Sequence, residues 1–129
     1  MRIATFVHEG QRHVGQVAAD GQSVTAFALD AAQAARGALP LIEAAASGAA
    51  LPALTGPAIP LASVHVEAPL PVPRRNLWCV GRNYHEHAKE LQASVFKDNN
   101  ANPATWPIVF TKVPECVIAH GDDVVLPGA

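Results

Sequence analysis

Hydrophobic and polar residues alternate over the first 27 residues in the period-two pattern of β-strands with two different faces. Glu9-Gly10 marks a turn after the first strand, and a second strand follows over residues 12–19. Asp20-Gly21 is a stronger turn signal, because both residue types tolerate the positive φ of a tight hairpin. A third strand resumes over residues 23–25, so this region is predicted to be a small antiparallel meander.

Alanine dominates the next stretch, residues 29–50, and predicts two short helices. Asp30 can cap the first helix, which is expected to end at Gly37. The second helix is predicted over residues 41–47, with Gly48 as its C-terminal stop. Because alanine buries little area, we expect both helices to cover a sheet edge or a hydrophobic face.

Prolines then divide the chain. Residues 51–60 contain three prolines, a strand is predicted over 62–68, and the run PLPVP at 69–73 holds the backbone extended and blocks helix. The proline run predicts a domain boundary. We therefore expect a small α+β domain over residues 1–70 and a second domain over 74–129.

The charge balance argues against nucleic acid as a partner, and the lengths of the apolar runs argue against a membrane location. The formal net charge is −2, and Arg74, Arg75 and Arg82 form the only close grouping of arginines, so no basic stripe could follow nucleic-acid phosphates. The N-terminus does not resemble a signal peptide, and no apolar run approaches the roughly 18–20 residues that span a bilayer. We expect a soluble cytoplasmic protein that binds neither nucleic acid nor membrane.

The two cysteines have no metal-ligand spacing. Cys79 and Cys116 lie in apolar runs typical of strands, LWCV and ECVI. In a reducing compartment this pattern predicts two buried thiols, in preference to a disulfide or a catalytic thiol.

Candidate chemistry begins after the prolines. Residues 76–81 form a short apolar strand that ends in glycine, and a polar helix is predicted over 82–91 with Asn83 as its N-cap. His87 and Glu90 stand three residues apart, so they share one helix face, where a carboxylate can fix the tautomer of an imidazole base. Spacing alone favours the simpler interpretation, an ordinary solvated polar face.

A resemblance changes that interpretation. The segment LWCVGRNYHEHAKE, followed by PIVFTKVPECVIAHGDDVVLP, resembles the opening of the catalytic domain of the fumarylacetoacetate hydrolase family. Shared elements are a strand ending in CVG-x-NY, a histidine and a glutamate three residues later, a strand with a lysine near its end, and a final LP. The first 70 residues resemble, less specifically, the small N-terminal domain of bacterial members. The resemblance implies a mixed, β-rich catalytic domain of roll or barrel type.

The resemblance also implies a chemistry. Members carry out metal-dependent hydrolysis of a carbon–carbon bond in a small keto acid such as an acylpyruvate or fumarylpyruvate, often in the breakdown of aromatic compounds. Other members are decarboxylases or isomerases. The cofactor is Mg²⁺, sometimes Mn²⁺ or Ca²⁺, which acts as a Lewis acid on the substrate's adjacent oxygens. Homodimers are the expected assembly.

The family motif assigns roles to five residues. His87 would be the base that activates water, and Glu90 its orienting partner, on a short helix that closes over the substrate as a lid. Arg82 and Lys112 could each bind a substrate carboxylate, although a structural ion pair is an equal alternative for Arg82. Tyr84 is expected to pack, or to donate a hydrogen bond in the site.

One element of the family pattern is absent. The carboxylates that hold the family's metal follow the strand ending in LP, and adjacent residues such as Asp122 and Asp123 on a strand point to opposite faces. We therefore expect no metal ligands in this sequence, an incomplete catalytic domain with exposed apolar edges, and an inactive 129-residue chain. The alternative is a non-catalytic remnant that serves binding or assembly.

Two weaker expectations complete the analysis. A metal-binding module of His8, His13 and His65 has no ligand-like spacing to support it. His120 is predicted to occupy a turn before a last strand, and residues 94–106 to form a mobile loop beside the lid.

Overall fold

A computed structural model of the chain describes residues 1–81, 108–126 and 128. The chain divides into two compact units, one made of Met1–Pro73 with Val117–Ala129 and the other of Arg74–Cys116. The content is mixed, with more strand than helix, which is compatible with the predicted α+β class. The roll or barrel of the second domain and the predicted domain ranges stay predictions.

The first unit is built on a five-stranded antiparallel sheet in the order β4-β3-β2-β1-β5. Its strands are β1 Arg2–His8, β2 Gln11–Val17, β3 Ser23–Phe27, β4 Leu54–Pro60 and β5 His65–Glu67. The first three strands pair in sequence order, which confirms the predicted meander.

The two hairpin turns form where the sequence predicts them. Glu9 and Gly10 both have positive φ, 50° and 76°, and directly join the paired residues His8 and Gln11. The second connection is longer than a two-residue turn. In it, Gly21 has a φ of 75° and the Asp20 carboxylate accepts a hydrogen bond from the backbone N–H of Gln22 at 2.9 Å.

Both faces of this sheet are covered. On one face Val14, Phe27, Ala38 and Leu41 form a buried cluster between the strands and the helical segment. On the other, Ala4, Phe6 and Val24 are buried with flanking apolar residues from β4 and from a 3-10 helix, Leu61–Ser63. The alanine-rich segment therefore covers a hydrophobic face of the sheet, as predicted.

The helices differ from prediction at their ends. Asp30 caps α1, Ala31–Ala34, with a capping box shared with Gln33, but the helix ends before Gly37 and continues as turns. The second helix, α2, spans Leu39–Ser47 and ends at Gly48 with a φ of 72°, as predicted.

β4 was not predicted, because its prolines argue against a strand. It is an edge strand, where a missing N–H can face solvent. Gly56, with a φ of 72°, lies in a bulge that interrupts the pairing with β3 between Val24 and Ala26. The next predicted strand, residues 62–68, shrinks to the three residues of β5.

The second unit contains a two-stranded antiparallel sheet and a 3-10 helix. Its elements are β6 Leu77–Gly81, β7 Ile108–Lys112 and the 3-10 helix Pro114–Cys116. The expectation of two buried strand thiols is wrong, since Cys79 is half-buried in β6 while Cys116 is exposed and helical. Both thiols are free, so no disulfide forms.

The C-terminal segment of the first unit turns as predicted but does not continue as a strand over its described residues 122–126. Gly121 has a φ of 83°, and the Asp122 carboxylate accepts from the backbone N–H of Ala119 at 2.9 Å. Val125 beyond it is 88% exposed, and no strand of the described residues pairs with this segment.

Candidate functional site

The register of β6 and β7 fixes the described part of the candidate site. Gly81, the last residue before the predicted lid helix, pairs with Ile108. Lys112 pairs with Leu77 at the opposite end of the two strands. At about 3.4 Å per residue, four residue steps place Lys112 about 14 Å along the sheet from Gly81. Lys112 is thus separated by the length of the strand from the C-terminal end of β6, where the predicted lid helix begins.

The Lys112 side chain is exposed on the same face as Phe110, two residues before it in β7. Its Nζ atom lies 5.9 Å from the centroid of the Phe110 ring, near the outer limit of a cation–π contact. Among the described residues, no carboxylate forms a salt bridge with this ammonium. The ammonium is therefore accessible from solvent, and its role in binding a substrate carboxylate stays a prediction.

The opposite face of the two strands is open to solvent and mainly apolar, with the polar Thr111 paired to Trp78. Trp78, Val80 and Val109 share it by alternation, and they are 75%, 56% and 54% exposed. These three residues are called the Trp78 face below. The expectation of an exposed apolar face on these strands is confirmed.

The other four predicted site residues lie outside the described residues. His87 and Glu90 as the water-activating pair, and Arg82 and Tyr84 as substrate-binding residues, stay predictions. The loop predicted over 94–106 falls in the same range.

The described residues do not form a metal site. Over 1–81 and 108–126, no three His, Cys, Asp or Glu side chains come close enough to hold a metal ion. One carboxylate oxygen of Asp122 accepts the hydrogen bond from the backbone N–H of Ala119, and the other lies 3.8 Å from Nε2 of His65. This part of the chain therefore does not fit the divalent metal that the resemblance implies.

The register also separates the three histidines of the proposed metal module. His8 lies on the same face of β1 as Phe6, and His13 stacks on that Phe6 ring at 5.5 Å between centroids. His65 pairs with Val7 and so belongs to the opposite face. With the correct strand register, side-chain alternation in the sequence would have been enough to rule out this three-histidine site.

A shallow cleft was missed by sequence reasoning. His65 and His120 both line it, together with Gln22 and the apolar residues Leu61 and Val64, and its volume is about 450 Å³. No sequence signal links His65 to the turn at His120, because they are distant in the chain and meet only through packing of the C-terminal segment. His120 lies in the predicted turn.

Within the described ranges, the chain has no helix of the length and apolarity needed to cross a membrane.

Comparison with known proteins identifies a matching family and a similar protein. Residues 76–129 match the fumarylacetoacetate hydrolase C-terminal domain. A stretch of 64 residues, 50% of this chain, is 41% identical to oxaloacetate tautomerase YisK of Bacillus subtilis strain 168, and covers 19% of that protein. The chain thus matches about a fifth of the length of this relative. Through residues 76–129, this chain is therefore similar to the C-terminal domain of the fumarylacetoacetate hydrolase family.

Proposed function

We propose that this protein acts on a small 2-oxo acid through its enol or enolate form. The observation that carries the proposal is the family match over residues 76–129, which contains His87, Glu90 and Lys112. Hydrolysis of a carbon–carbon bond in an acylpyruvate and keto–enol tautomerisation both pass through such a species. A single site can therefore support either reaction class.

The side chains of this sequence suit both reactions. In tautomerisation a base removes a proton from the carbon beside the ketone and an acid returns it elsewhere, a task that an imidazole near neutral pH can perform. In hydrolysis the same imidazole removes a proton from water as the water attacks a carbonyl. His87 is the proposed base, and Glu90 its orienting partner. Lys112, exposed and cationic, is proposed to bind a carboxylate of the substrate.

A divalent metal is the cofactor that the family resemblance implies. Domains of this family generally bind divalent metals, which supply Lewis-acid stabilisation of an enolate. Because the described residues do not cluster around a metal, every role proposed here is assigned to a side chain of the chain itself.

Tautomerisation is the second candidate reaction, and a specific observation favours it. The relative that is 41% identical over 64 residues is an oxaloacetate tautomerase. Tautomerisation moves a proton and breaks no carbon–carbon bond, so it needs no attacking water. The two reactions are therefore distinguished by whether carbon–carbon cleavage products appear.

The test uses the protein expressed from the whole open reading frame to which residues 1–129 belong. Mg²⁺ is added to the assay. Oxaloacetate and acetylpyruvate are the two substrates, and proton NMR follows both the enol-to-keto ratio and the release of pyruvate and acetate. Faster enol decay without cleavage supports tautomerisation, whereas acetate released from acetylpyruvate supports hydrolysis. Rates equal to buffer with Mg²⁺ alone for both substrates would contradict the proposal.

A further inference from the structure

A cleft of about 410 Å³ opens between the β1–β2 hairpin and the edge strand β4 of the five-stranded sheet. Its volume falls among those of sites that bind a small organic molecule. His8 and His13 line it from the hairpin, and Thr55 and Ile59 line it from β4. Every residue that lines the cleft belongs to the first unit, and none falls within the family match over residues 76–129.

Small side chains explain the depression in the sheet. Ala26 of β3 lines the cleft and pairs with Gly15 of β2 on one side and with Thr55 of β4 on the other. The Phe6 ring leans over Gly15, because a Cβ atom on that glycine would lie 3.0 Å from Cε1 of the ring. Ala26 carries only a methyl group, so the floor of the cleft is low and apolar, with Ile59 beside it.

The His13 ring rests on Phe6. The centroids of the two rings lie 5.5 Å apart, and Phe6 is fully buried, so packing fixes the ring that supports His13. His8 lies on the same face of the sheet, because His13 pairs with Phe6 and His8 is two residues after Phe6 in β1. Both imidazoles therefore reach the same cleft. Groups that are already held in place lose little conformational freedom when a ligand binds.

Hydrogen-bond donors outnumber carboxylates in this cleft. Both imidazoles carry an N–H group, and the Gln11 amide and the Thr55 hydroxyl also donate. Glu9, exposed in the hairpin turn, is the one carboxylate among the described residues that line the cleft. Strands β3 and β4 contain no charged residue. Arg12 alternates to the opposite face of β2, where its charge is paired with Glu67.

We propose that this cleft binds a small carboxylic acid as its anion, with the carboxylate against His8 and His13 and a short apolar chain against Ala26 and Ile59. A carboxylate has only acceptor oxygens, so it matches the donors on the hairpin side. Methyl and methylene groups match the floor and the β4 side, from which they displace water. Protonation of the imidazoles adds positive charge, and charge-assisted hydrogen bonds are roughly twice as strong as neutral ones.

The test is a titration of the 129-residue chain with n-butyrate, followed by ¹H–¹⁵N chemical shifts. At about pH 6 the amides of Ala26, Thr55 and Ile59 should shift together and saturate, with a Kd of about 1–10 mM. Butyramide has the chain but no charge, and acetate has the charge but hardly any chain, so each should bind about fivefold more weakly. Butyrate itself should bind about threefold more weakly at about pH 8, because histidine side chains lose their protons over this range.

Two results of the titration would overturn the proposal. One is the absence of saturable shifts up to about 100 mM butyrate, a concentration well above the expected Kd. The other is an affinity that is equal for the three compounds or unchanged by pH.

Substitutions locate the carboxylate. His13→Phe keeps a ring on Phe6 but removes the N–H groups and the charge, so butyrate should bind about fivefold more weakly. His120→Phe makes the same change in the other cleft, which His65 also lines, and should keep the native affinity. Glu9→Gln removes the nearby negative charge and should tighten binding about twofold.

His8→Phe is a second variant of the same kind, at a half-buried side chain, and should also weaken binding. The dispersion of the amide spectrum shows whether each variant is folded. Equal affinities in His8→Phe, His13→Phe and His120→Phe would overturn the proposal. So would shifts at Ala26 and Thr55 that grow with protein concentration in the absence of butyrate, because they would place a second copy of the chain in the cleft.

Discussion

Arg12 on β2 and Glu67 on β5 form a bidentate ion pair across the intervening strand β1. Nη2 of Arg12 lies 2.7 Å from Oε1 of Glu67, and Nε donates to the other carboxylate oxygen. This hydrogen bonding raises the pKa of Arg12. Because the pKa of Arg12 is higher in the folded than in the unfolded chain, the ion pair stabilises the fold fully at any pH below the unfolded-state pKa of Arg12. That stabilisation is lost only as the pH rises through the folded-state pKa of Arg12. The arginine therefore stays charged except in strongly alkaline solution.

Glu67→Gln is expected to lower the free energy of unfolding by about 1–2 kcal/mol, because it removes the charge from a two-bond pair whose carboxylate is mostly buried. Urea unfolding of the variant and the native chain measures the difference. The matched control is Glu43→Gln, which weakens the exposed pair with Arg36 and should cost less than about 0.5 kcal/mol. Equal costs in the two variants would show that the bidentate geometry adds nothing.

Gly15 on β2 is a second position at which one added atom should matter. A Cβ there would lie 2.6 Å from the Thr25 carbonyl oxygen and 2.7 Å from Cγ2 of Val24, a fully buried side chain. Gly15→Ala must therefore move backbone in the sheet, at a cost of about 1–3 kcal/mol measured by thermal unfolding. Gly128→Ala, where no atom lies within 4 Å, should leave the midpoint unchanged. A stable Gly15→Ala variant would contradict the close packing.

The Trp78 face predicts self-association of the chain. Its three apolar residues are exposed to water, and their burial against a second copy would recover hydrophobic free energy. Trp78→Lys should weaken association about 30-fold, the equivalent of about 2 kcal/mol, in sedimentation velocity over a concentration series. Ile42→Lys, at an isolated exposed residue on α2, is the control and should not change the sedimentation profile. A native chain that stays monomeric at all concentrations would exclude this association.

The three-stranded meander could be predicted because its signals are local. Alternating side chains set two faces, and residues that tolerate positive φ, such as Gly10 and Gly21, mark the turns. β4 could not, since its prolines are acceptable only at a sheet edge, and edge position depends on the order of all the strands. The ion pair of Arg12 with Glu67 is hidden for the same reason, because it requires β5 to pair beside β1.

In the candidate site, too, features that depend on local spacing could be predicted and features that depend on strand register could not. The spacing of three residues predicts that His87 and Glu90 share one face of a helix, without any tertiary information. The position of Lys112 at the far end of β7 from Gly81 depends on the register between two strands, which the sequence does not encode locally. Similarly, the apolar residues 124–126 have the composition of a strand, but a strand forms only when a neighbour is present to accept its hydrogen bonds.

His87 and His85 allow the proposed mechanism to be tested with two substitutions of the same kind. On the predicted helix, residues two apart point in different directions, so His85 should not reach the position predicted for His87 beside Glu90. In the protein from the entire reading frame, His87→Ala should lower the rate constant for the 2-oxo acid reaction by about 10²–10⁴-fold, the usual contribution of a general base. His85→Ala should keep the native rate, and Glu90→Gln should fall between them because it disturbs only the orientation of the imidazole. The pH–rate profile supplies the second readout, since the limb that reports the base should disappear in His87→Ala and persist in His85→Ala. A native rate in His87→Ala, or equal losses in both histidine variants, would remove His87 as the base.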